Sequence, residues 1–412
     1  MDILVKGARV WGRKGLWDIG VDDGKMAKLA RGIGGSADKV VDAGGMLAAP
    51  AFIDPHIHLD KCMIGDEIRP NVSGTLQEAI EIIWDRKRKY NEADVVRRAG
   101  GVIQQALMNG TTRMRTHADI DTIAGLKPLK GLLAVKKKFS RLMDIQVAAF
   151  PQEGILRDPG TEDLMYKAME MGADLVGGMP HHERPYSKAK PHIDICFEVA
   201  KQFNADIDMH VDETDDPRSR SLEYLARKTI DEGYYGRVTA GHTCALAAYP
   251  DNYAKRVIGL VRQAKINMIT NPVTNLVIQG REDKQPIRRG ITRVKELLDA
   301  GVNVSFGQDC VNDAFYPFGK ADMLEVANIT AHAAQLTMPG EIETVFKMMT
   351  YNAARTLGAK DYGMEPGKRA DIVIIDAVSA KDAIRRQPDR RWVIRKGKVA
   401  AESRSFKKLV GR

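Results

Sequence analysis

Short apolar runs alternate with longer amphipathic stretches through the middle of the chain. Eight runs stand out, and they lie at residues 52–58, 113–117, 145–150, 174–180, 207–210, 237–242, 266–271 and 303–309. Runs of this length are typical of buried strands, and the stretches between them have the periodicity of helices. Eight strand–helix alternations over about 310 residues predict an α/β fold of the (β/α)8 type, a TIM barrel, and not an open doubly wound sheet.

Helix end signals mark two of the amphipathic stretches. In GTLQEAIEIIWDRKRKY, Thr75 and Glu78 have the spacing of a capping box, which predicts the start of a helix. In ITRVKELLDAG, residues 291–301, the closing glycine predicts the end of another helix.

The two ends of the chain have a different pattern. The first 45 residues alternate apolar and polar positions around the turn signals DDG and AGG. The last 50 residues do the same in ADIVIIDA and RRWVIRKGKVAA. We therefore expect residues 1–50 and 363–412 to form one small β-sandwich beside a catalytic barrel of residues 51–362.

Composition excludes several classes of protein. The 412 residues are 44% hydrophobic and 28% charged, as in ordinary globular proteins, which argues against disordered and fibrous architectures. The sequence has no run of 18 apolar residues and no signal-peptide pattern, so we expect a cytoplasmic protein without a membrane partner. The four cysteines have no CxxC spacing, which argues against a disulfide framework or a zinc knuckle.

The formal net charge of +9 raises the question of a nucleic-acid partner. The basic clusters lie far apart along the chain, and no nucleic-acid-binding signature accompanies them. The charge is better explained by solvated helix faces, and we expect no nucleic-acid partner.

Metal-ligating residue types stand at the ends of four predicted strands. His56 and His58 form a His-x-His in the first run, and His210, His242 and Asp309 end the fifth, sixth and eighth. Alternate residues of a strand point to one face, and barrel active sites lie where the strands end. This placement predicts a metal site.

Imidazole and carboxylate ligands without thiolate suit iron(II) or zinc(II). Three histidines and one aspartate leave a position open for water, which a hydrolytic site requires. Glu213 follows His210 by three residues and can reach the same mouth, so it is a candidate proton shuttle.

Longer motifs resemble the amidohydrolase superfamily, and more closely its cytosine deaminase branch. The similarity runs nearly end to end and includes PHIHLDK near residue 55, FPQEG at 150–154, NPVTNLVIQGR at 271–281 and RRGITRVKEL at 288–297. It implies that the metal ligands are His56, His58, His210 and Asp309. It also implies that Glu213 shuttles protons, while His242 and Asp309 orient the hydrolytic water.

Further implications of the resemblance concern the metal count and the substrate pocket. No lysine follows the fourth strand, in GMPHHERP, so one metal ion is expected instead of two. Gln152 matches the family's substrate-binding amide, and His181 is expected to line the pocket. His182 and His192 are expected at the surface. Relatives in this branch form oligomers, which implies a homo-oligomer.

The resulting hypothesis is a hydrolytic deaminase of a free aminopyrimidine, cytosine or a 5-substituted cytosine. Cys310 stands where the branch commonly has a second aspartate, and Phe315 stands where it tends to have a tryptophan. A smaller uncharged side chain at position 310 frees volume near C5 of the ring. We therefore expect 5-methylcytosine to be accepted.

Other substrates and one other class stay open. Within the same fold, the alternatives are an aminated s-triazine of the N-alkylammelide type, isocytosine, isoguanine and creatinine. Outside enzymology, the alternative is a catalytically dead barrel that acts as a binding protein. The cysteine-rich zinc signature of nucleic-acid-editing deaminases does not occur in the sequence, so a free base is the expected substrate.

Overall fold

The computed structural model describes residues 1–410. Its strands are β1 Ile3–Val10, β2 Trp17–Asp22, β3 Lys25–Ala30, β4 Lys39–Asp42, β5 Leu47–Pro50, β6 Phe52–Ile57, β7 Thr111–Asp119, β8 Asp144–Phe150, β9 Leu175–Gly178, β10 Asp206–Val211, β11 Val238–His242, β12 Asn267–Thr270, β13 Val304–Phe306, β14 Ile372–Ile375, β15 Arg390–Arg395 and β16 Lys398–Glu402. Its helices are α1 Leu76–Lys87, α2 Glu92–Met108, α3 Lys127–Lys138, α4 Thr161–Glu170, α5 Ala189–Gln202, α6 Ser221–Asp231, α7 Ala245–Ala248, α8 Asp251–Gln263, α9 Pro272–Ile278, α10 Val294–Asp299, α11 Met323–Ala333, α12 Pro339–Met348, α13 Tyr351–Thr356 and α14 Ala380–Arg386.

Strands β6 to β13 form a parallel sheet in chain order, as a TIM barrel requires. Its two ends meet where the Asp309 amide donates to the His56 carbonyl at 2.8 Å and the His58 amide donates to the Asp309 carbonyl at 2.7 Å. All residues of β6 and β7 are buried, because the barrel interior covers one face and helices cover the other. The predicted barrel is confirmed, and each of the eight predicted runs overlaps one of these strands.

The remaining eight strands come from both ends of the chain. They follow the order β16-β15-β14-β5-β1-β2-β3, and β4 pairs with β1. Because β1 pairs with β2, β4 and β5, it joins the two halves of this sheet. Side chains from both halves, among them Val5, Ile19, Ile372 and Ile394, share one buried core. The predicted composite of the two termini is therefore confirmed, whereas the exact division at residues 51 and 362 stays a prediction.

A partly buried ion-pair cluster joins this sheet to the barrel. Asp144, the first residue of β8, accepts from Arg395 Nη2 at 2.6 Å and lies 2.5 Å from Arg369 Nη2. Arg395 also donates to the Thr112 carbonyl at 3.1 Å. We call Asp144, Arg369 and Arg395 the sheet–barrel latch.

The two predicted helix signals are present with differences. The Thr75 side chain accepts from the Glu78 amide at 3.2 Å, as in a capping box. The Glu78 carboxylate, however, accepts from the Ser73 amide at 2.7 Å instead of the Thr75 amide, because the loop turns back over the helix start. Helix α10 is shorter than residues 291–301, and Gly301, with a φ of +79°, follows its end.

Two further findings concern the cysteines and membranes. Cys62, Cys196, Cys244 and Cys310 are buried free thiols. Across residues 1–410, no helix is both long enough and apolar enough to cross a bilayer.

Candidate active site

Three histidines and one aspartate converge where the barrel strands end. One ligand atom from each of His56, His58, His210 and Asp309 lies within 4.8 Å of all the others. The Nε2 atoms of His58 and His210 are 2.9 Å apart, and those of His56 and His58 lie 3.3 and 3.5 Å from Asp309 Oδ1. We call these four residues the ligand cluster.

Local backbone features bring the ligand cluster together. Strand pleating places His56 and His58 on one face of the chain, and closure of the barrel places Asp309 beside them. Gly307 is required here, because a Cβ atom would lie 2.5 Å from the His56 carbonyl oxygen. Asp309 has a φ of +63°, a conformation that costs a non-glycine residue free energy and is typical of functional sites.

The ligand cluster has the chemistry of a metal site. Both ring nitrogens of His56, Nδ1 of His58 and His210, and Oδ2 of Asp309 are buried without a hydrogen-bond partner among residues 1–410. Buried polar atoms are normally partnered, so such a cluster indicates that the fold is built for another group. Burial lowers the pKa of His56, His58 and His210, which favours the neutral imidazoles that metals bind.

Glu213 and His242 lie next to the ligand cluster. His242 Nδ1 is 2.9 Å from Glu213 Oε1, and Asn275 donates from Nδ2 to the same oxygen at 3.0 Å. Asn271 Nδ2 lies 3.0 Å from the other ring nitrogen, Nε2. Burial lowers the pKa of His242, but the carboxylates of Glu213 and Asp309 outweigh it and raise that pKa to about 9. The imidazole is therefore held between fixed partners.

A cavity opens over these groups. Its wall includes the sequence-predicted Gln152, Cys310 and Phe315, together with members of the ligand cluster, Glu213 and His242. Phe150 stacks on the His210 ring at 4.1 Å between centroids. The Gln152 carbonyl accepts from Lys61 Nζ at 2.5 Å, whereas its amide nitrogen has no partner in the described chain. The cavity therefore combines an unpartnered amide donor with members of the ligand cluster.

The histidines after the fourth barrel strand require a correction. His181 lines the outer mouth of the pocket with Glu213, not the inner cavity. His182 and His192, expected at the surface, are 4% and 0% exposed. His192 accepts from the Met179 amide at 3.0 Å, and its Nδ1 lies 2.8 Å from Glu183 Oε1. The prediction was wrong because the Met179 amide and Glu183 hold His192 of α5 in the interior, and local polarity does not reveal such contacts.

Several site residues escaped the sequence analysis. Lys61 and Thr274 line the cavity, and Asn271 and Asn275 hold His242. His117 lies beneath the ligand cluster, with its ring centroid 4.4 Å from that of His56. A signal did exist for four of them, because Lys61 lies in PHIHLDK, and Thr274 and both asparagines lie in NPVTNLVIQGR.

Comparisons with known proteins agree with this geometry. The model of a family described as "Amidohydrolase family" matches residues 39–401. The chain belongs to the amidohydrolase family. It is an enzyme, a hydrolase that acts on C–N bonds, and the enzyme class expected from the sequence is confirmed. The family generally uses a divalent metal ion, in agreement with the ligand cluster.

Individual relatives share nearly the whole chain. A crystal structure of 5-methylcytosine deaminase from Klebsiella pneumoniae, liganded with 5-fluorocytosine, is 37% identical with a TM-score of 0.95 and covers 99% of each chain. N-isopropylammelide isopropyl amidohydrolase from Pseudomonas sp. (strain ADP) is 32% identical over 97% of this chain and 96% of its own. N-isopropylammelide isopropylaminohydrolase from Burkholderia multivorans is 28% identical with a TM-score of 0.86, over 98% of this chain and 99% of its own.

Proposed function

We propose that this amidohydrolase deaminates a free aminopyrimidine base, cytosine or 5-methylcytosine, to uracil or thymine and ammonia. The observation that carries the proposal is a cavity whose wall brings His58, His210, Asp309, Glu213 and His242 together with Gln152. Similarity to the Klebsiella 5-methylcytosine deaminase supports this choice of substrate.

The residues present fit one iron(II) or zinc(II) ion. His56, His58, His210 and Asp309 would hold it, because their buried ligand atoms converge and no thiolate takes part. When bound, such an ion supplies a Lewis acid that lowers the pKa of water towards about 7.

The chain's own residues then account for the proton movements. Deamination adds a water oxygen to the carbon that bears the amine, and ammonia leaves. Glu213 takes one proton from the water and gives it to the adjacent ring nitrogen, and it then carries the second proton to the departing amine. Asp309 accepts a hydrogen bond from the water, and His242 makes a second hydrogen bond to it. Gln152 binds the ring at the other side of the cavity.

Cys310 is the residue that we expect to decide whether the cavity accepts a substituent at C5 of the ring. Its side chain is buried in the cavity wall, next to Phe315, and Asp313 lies beside its thiol. Burial of a methyl group contributes about 0.8 kcal/mol, whereas forcing it into a filled pocket costs about 1–3 kcal/mol. We therefore expect Cys310→Asp to lower kcat/KM for 5-methylcytosine relative to cytosine by one or two powers of ten.

A matched control for this change is Cys62→Ser. Cys62 is equally buried but does not line the cavity, so its replacement should leave the ratio of the two kcat/KM values unchanged. A Cys310→Asp enzyme with the wild-type ratio would remove Cys310 from the account.

Hydrolysis of an N-alkylammelide is the second candidate function. Two relatives with this activity in their names match nearly the whole chain, although the crystal structure among them has a lower TM-score and identity than the 5-methylcytosine deaminase. The leaving group separates the candidates, because a triazine of this type releases an alkylamine and an aminopyrimidine releases ammonia.

The test is a product screen of purified enzyme with iron(II) or zinc(II). We expect ammonia from cytosine and 5-methylcytosine, and little amine from isocytosine, isoguanine, creatinine or N-isopropylammelide. Isopropylamine as the main product would favour the second candidate. A homo-oligomeric state and a cytoplasmic location remain expectations from the sequence.

A further inference from the structure

A buried lysine lies in the wall of the proposed substrate cavity. Lys61 follows β6 and is 1% exposed, and its side chain lines the cavity with Gln152 and Phe315. Its Nζ atom lies 5.6 Å from the Phe150 ring centroid and 5.9 Å from that of Phe315. A lysine is almost never buried to this extent without a specific partner. The partners of Nζ therefore decide what this residue does.

Two of the three N–H groups of the Lys61 ammonium are used within the protein. One donates to Asp119 Oδ1 at 2.6 Å, and another donates to Gln152 Oε1 at 2.5 Å. An ammonium has three donors and no acceptor. The third N–H group is thus the donor that remains for an occupant of the cavity.

The charge of Lys61 is held by carboxylates on the side away from the cavity. Burial lowers the pKa of Lys61, but Asp119 and Asp60 outweigh it, so that this pKa is raised and the amine stays protonated. Asp119 is itself fixed, because Asp60 Oδ2 accepts from its amide at 3.0 Å and Lys87 Nζ lies 3.5 Å from its Oδ2. Lys61 is therefore a permanent cation in the cavity wall.

Lys61 also decides which end of the Gln152 amide faces the cavity. Since an ammonium cannot accept a hydrogen bond, the atom next to Nζ must be the amide oxygen. The amide nitrogen, which is buried and has no partner within residues 1–410, is then left for the occupant. The Lys61 ammonium and the Gln152 amide nitrogen consequently offer the occupant of the cavity hydrogen-bond donors and no acceptor.

We propose that Lys61 is a substrate-binding residue that donates a hydrogen bond to a ring carbonyl together with Gln152 Nε2. The two donors thereby select bases in which a carbonyl lies next to the reacting amidine. The proposal rests on the deaminase function above and adds the residue that recognises the rest of the ring. Lys61 follows the first barrel strand and Gln152 follows the third. Glu213 follows the fifth strand, and His242 ends the sixth. A ring between them can present its amine to one pair and its carbonyl to the other.

Binding of two amine-free rings tests this proposal without turnover. Uracil has a carbonyl at C2, whereas 4(3H)-pyrimidinone keeps the C4 carbonyl and N3–H but lacks the C2 carbonyl and the N1 proton. Calorimetry on the metal-loaded enzyme should show uracil binding at least about tenfold more tightly, as expected for hydrogen bonds from a charged donor. Equal affinities for the wild-type enzyme would overturn the proposal, whatever the variants do.

The variants separate Lys61 from Gln152. Lys61→Met alone would leave Asp119 a buried unpaired charge, so the decisive pair is Asp119→Asn and the double variant Lys61→Met with Asp119→Asn. We expect the single variant to keep the preference for uracil and the double variant to lose it. The same preference in both variants would assign the carbonyl to Gln152 alone and overturn the proposal.

Failure of the proposed function has a different signature. A wild-type enzyme that prefers uracil but releases no ammonia from cytosine or 5-methylcytosine would contradict the deaminase assignment and leave the role of Lys61 as a carbonyl donor supported. Ammonia release from these bases, together with a double variant that still prefers uracil, would support the deaminase assignment and contradict the role of Lys61.

Discussion

Glu213 is the residue whose position carries most of the proposed chemistry. It lies next to the ligand cluster, it faces the cavity, and two donors hold one of its oxygens. A carboxylate held in this way can exchange protons with a ring in the cavity without being a ligand itself. General acid–base catalysis of this kind contributes about 10²- to 10⁴-fold to a rate.

Glu213→Gln should therefore keep the metal and lose turnover. We expect kcat to fall by about 10²- to 10⁴-fold, with the metal content, measured by elemental analysis, unchanged. Asp216→Asn is the matched control, since Asp216 belongs to the same acidic segment but pairs with the exposed Arg218. A Glu213→Gln enzyme with near-normal kcat would exclude Glu213 from the mechanism.

Residue types at strand ends made the ligand cluster predictable from the sequence. His56, His58, His210 and Asp309 each follow an apolar run, and barrel geometry brings such positions together. Lys61 was not predictable in the same way, because its partners, Asp119 and Gln152, come from other strands. A contact between distant segments leaves no trace in the local pattern.

At the level of elements, the short helix α9 completes the site. It begins after Asn271 and carries Asn275, so that its first turn places one amide on each side of the His242 ring. Asn275 also donates to Glu213, which joins the ends of β10 and β11 through one side chain. This helix therefore sets the distance between the two proposed catalytic groups.

Asn275→Ala should loosen the contact between Glu213 and His242 without removing a substrate contact. We expect kcat to fall by about tenfold or more, in line with the loss of a hydrogen bond to a charged group, while KM changes little. Steady-state kinetics separates the two constants. A rise in KM with unchanged kcat would show that Asn275 binds substrate instead of positioning Glu213 and His242.

The sheet–barrel latch makes a prediction about acid stability. Burial raises the pKa of Asp144, but hydrogen bonds and charges of Arg395 and Arg369 outweigh it and lower that pKa to about 2. Because the folded-state pKa lies below the unfolded one, the latch stabilises the fold above about pH 4 and loses this effect as the pH falls towards 2. The Asp144 side chain is 37% exposed, so we discount its contribution to about 1 kcal/mol.

Urea unfolding of Asp144→Asn and wild type from pH 7 to pH 3 measures this effect. The difference in unfolding free energy should be about 1 kcal/mol at pH 7 and should shrink below pH 4. Asp85→Asn is the control, because Asp85 forms an exposed pair with Arg88 that contributes little at any pH. A difference that is constant with pH would show that the Asp144 charge is not what matters.

At the scale of the whole molecule, the fold was more predictable than the site. Eight apolar runs identified the barrel, and alternating patterns at both ends identified the second sheet. The burial of His182 and His192 was not predictable, since His192 on α5 depends on Glu183 and on the Met179 amide, which the fold brings close. Long periodic segments are specified locally, whereas irregular loops are specified by tertiary contacts.

The ligand cluster couples metal binding to the stability of the whole chain. Its ligand atoms converge only in the folded chain, so metal binding favours the folded state. At a metal concentration of 1,000 times Kd the gain in unfolding free energy is about 4 kcal/mol, which corresponds to a rise in Tm of about 5 °C for a chain of this length.

His210→Ala should lose both the bound metal and this rise in Tm. His332→Ala, at an exposed helix position, should keep them. An unchanged Tm after chelation would contradict a metal site built by this cluster.

The central claim is a deaminase that works with one metal ion in the His56, His58, His210 and Asp309 cluster. The most direct test is to titrate metal-free enzyme with iron(II) or zinc(II) and to record ammonia release from 5-methylcytosine. We predict a rate that rises in proportion to the metal and levels off at one equivalent per chain. A rate that keeps rising to two equivalents, or no ammonia at any amount of either metal, would contradict the claim.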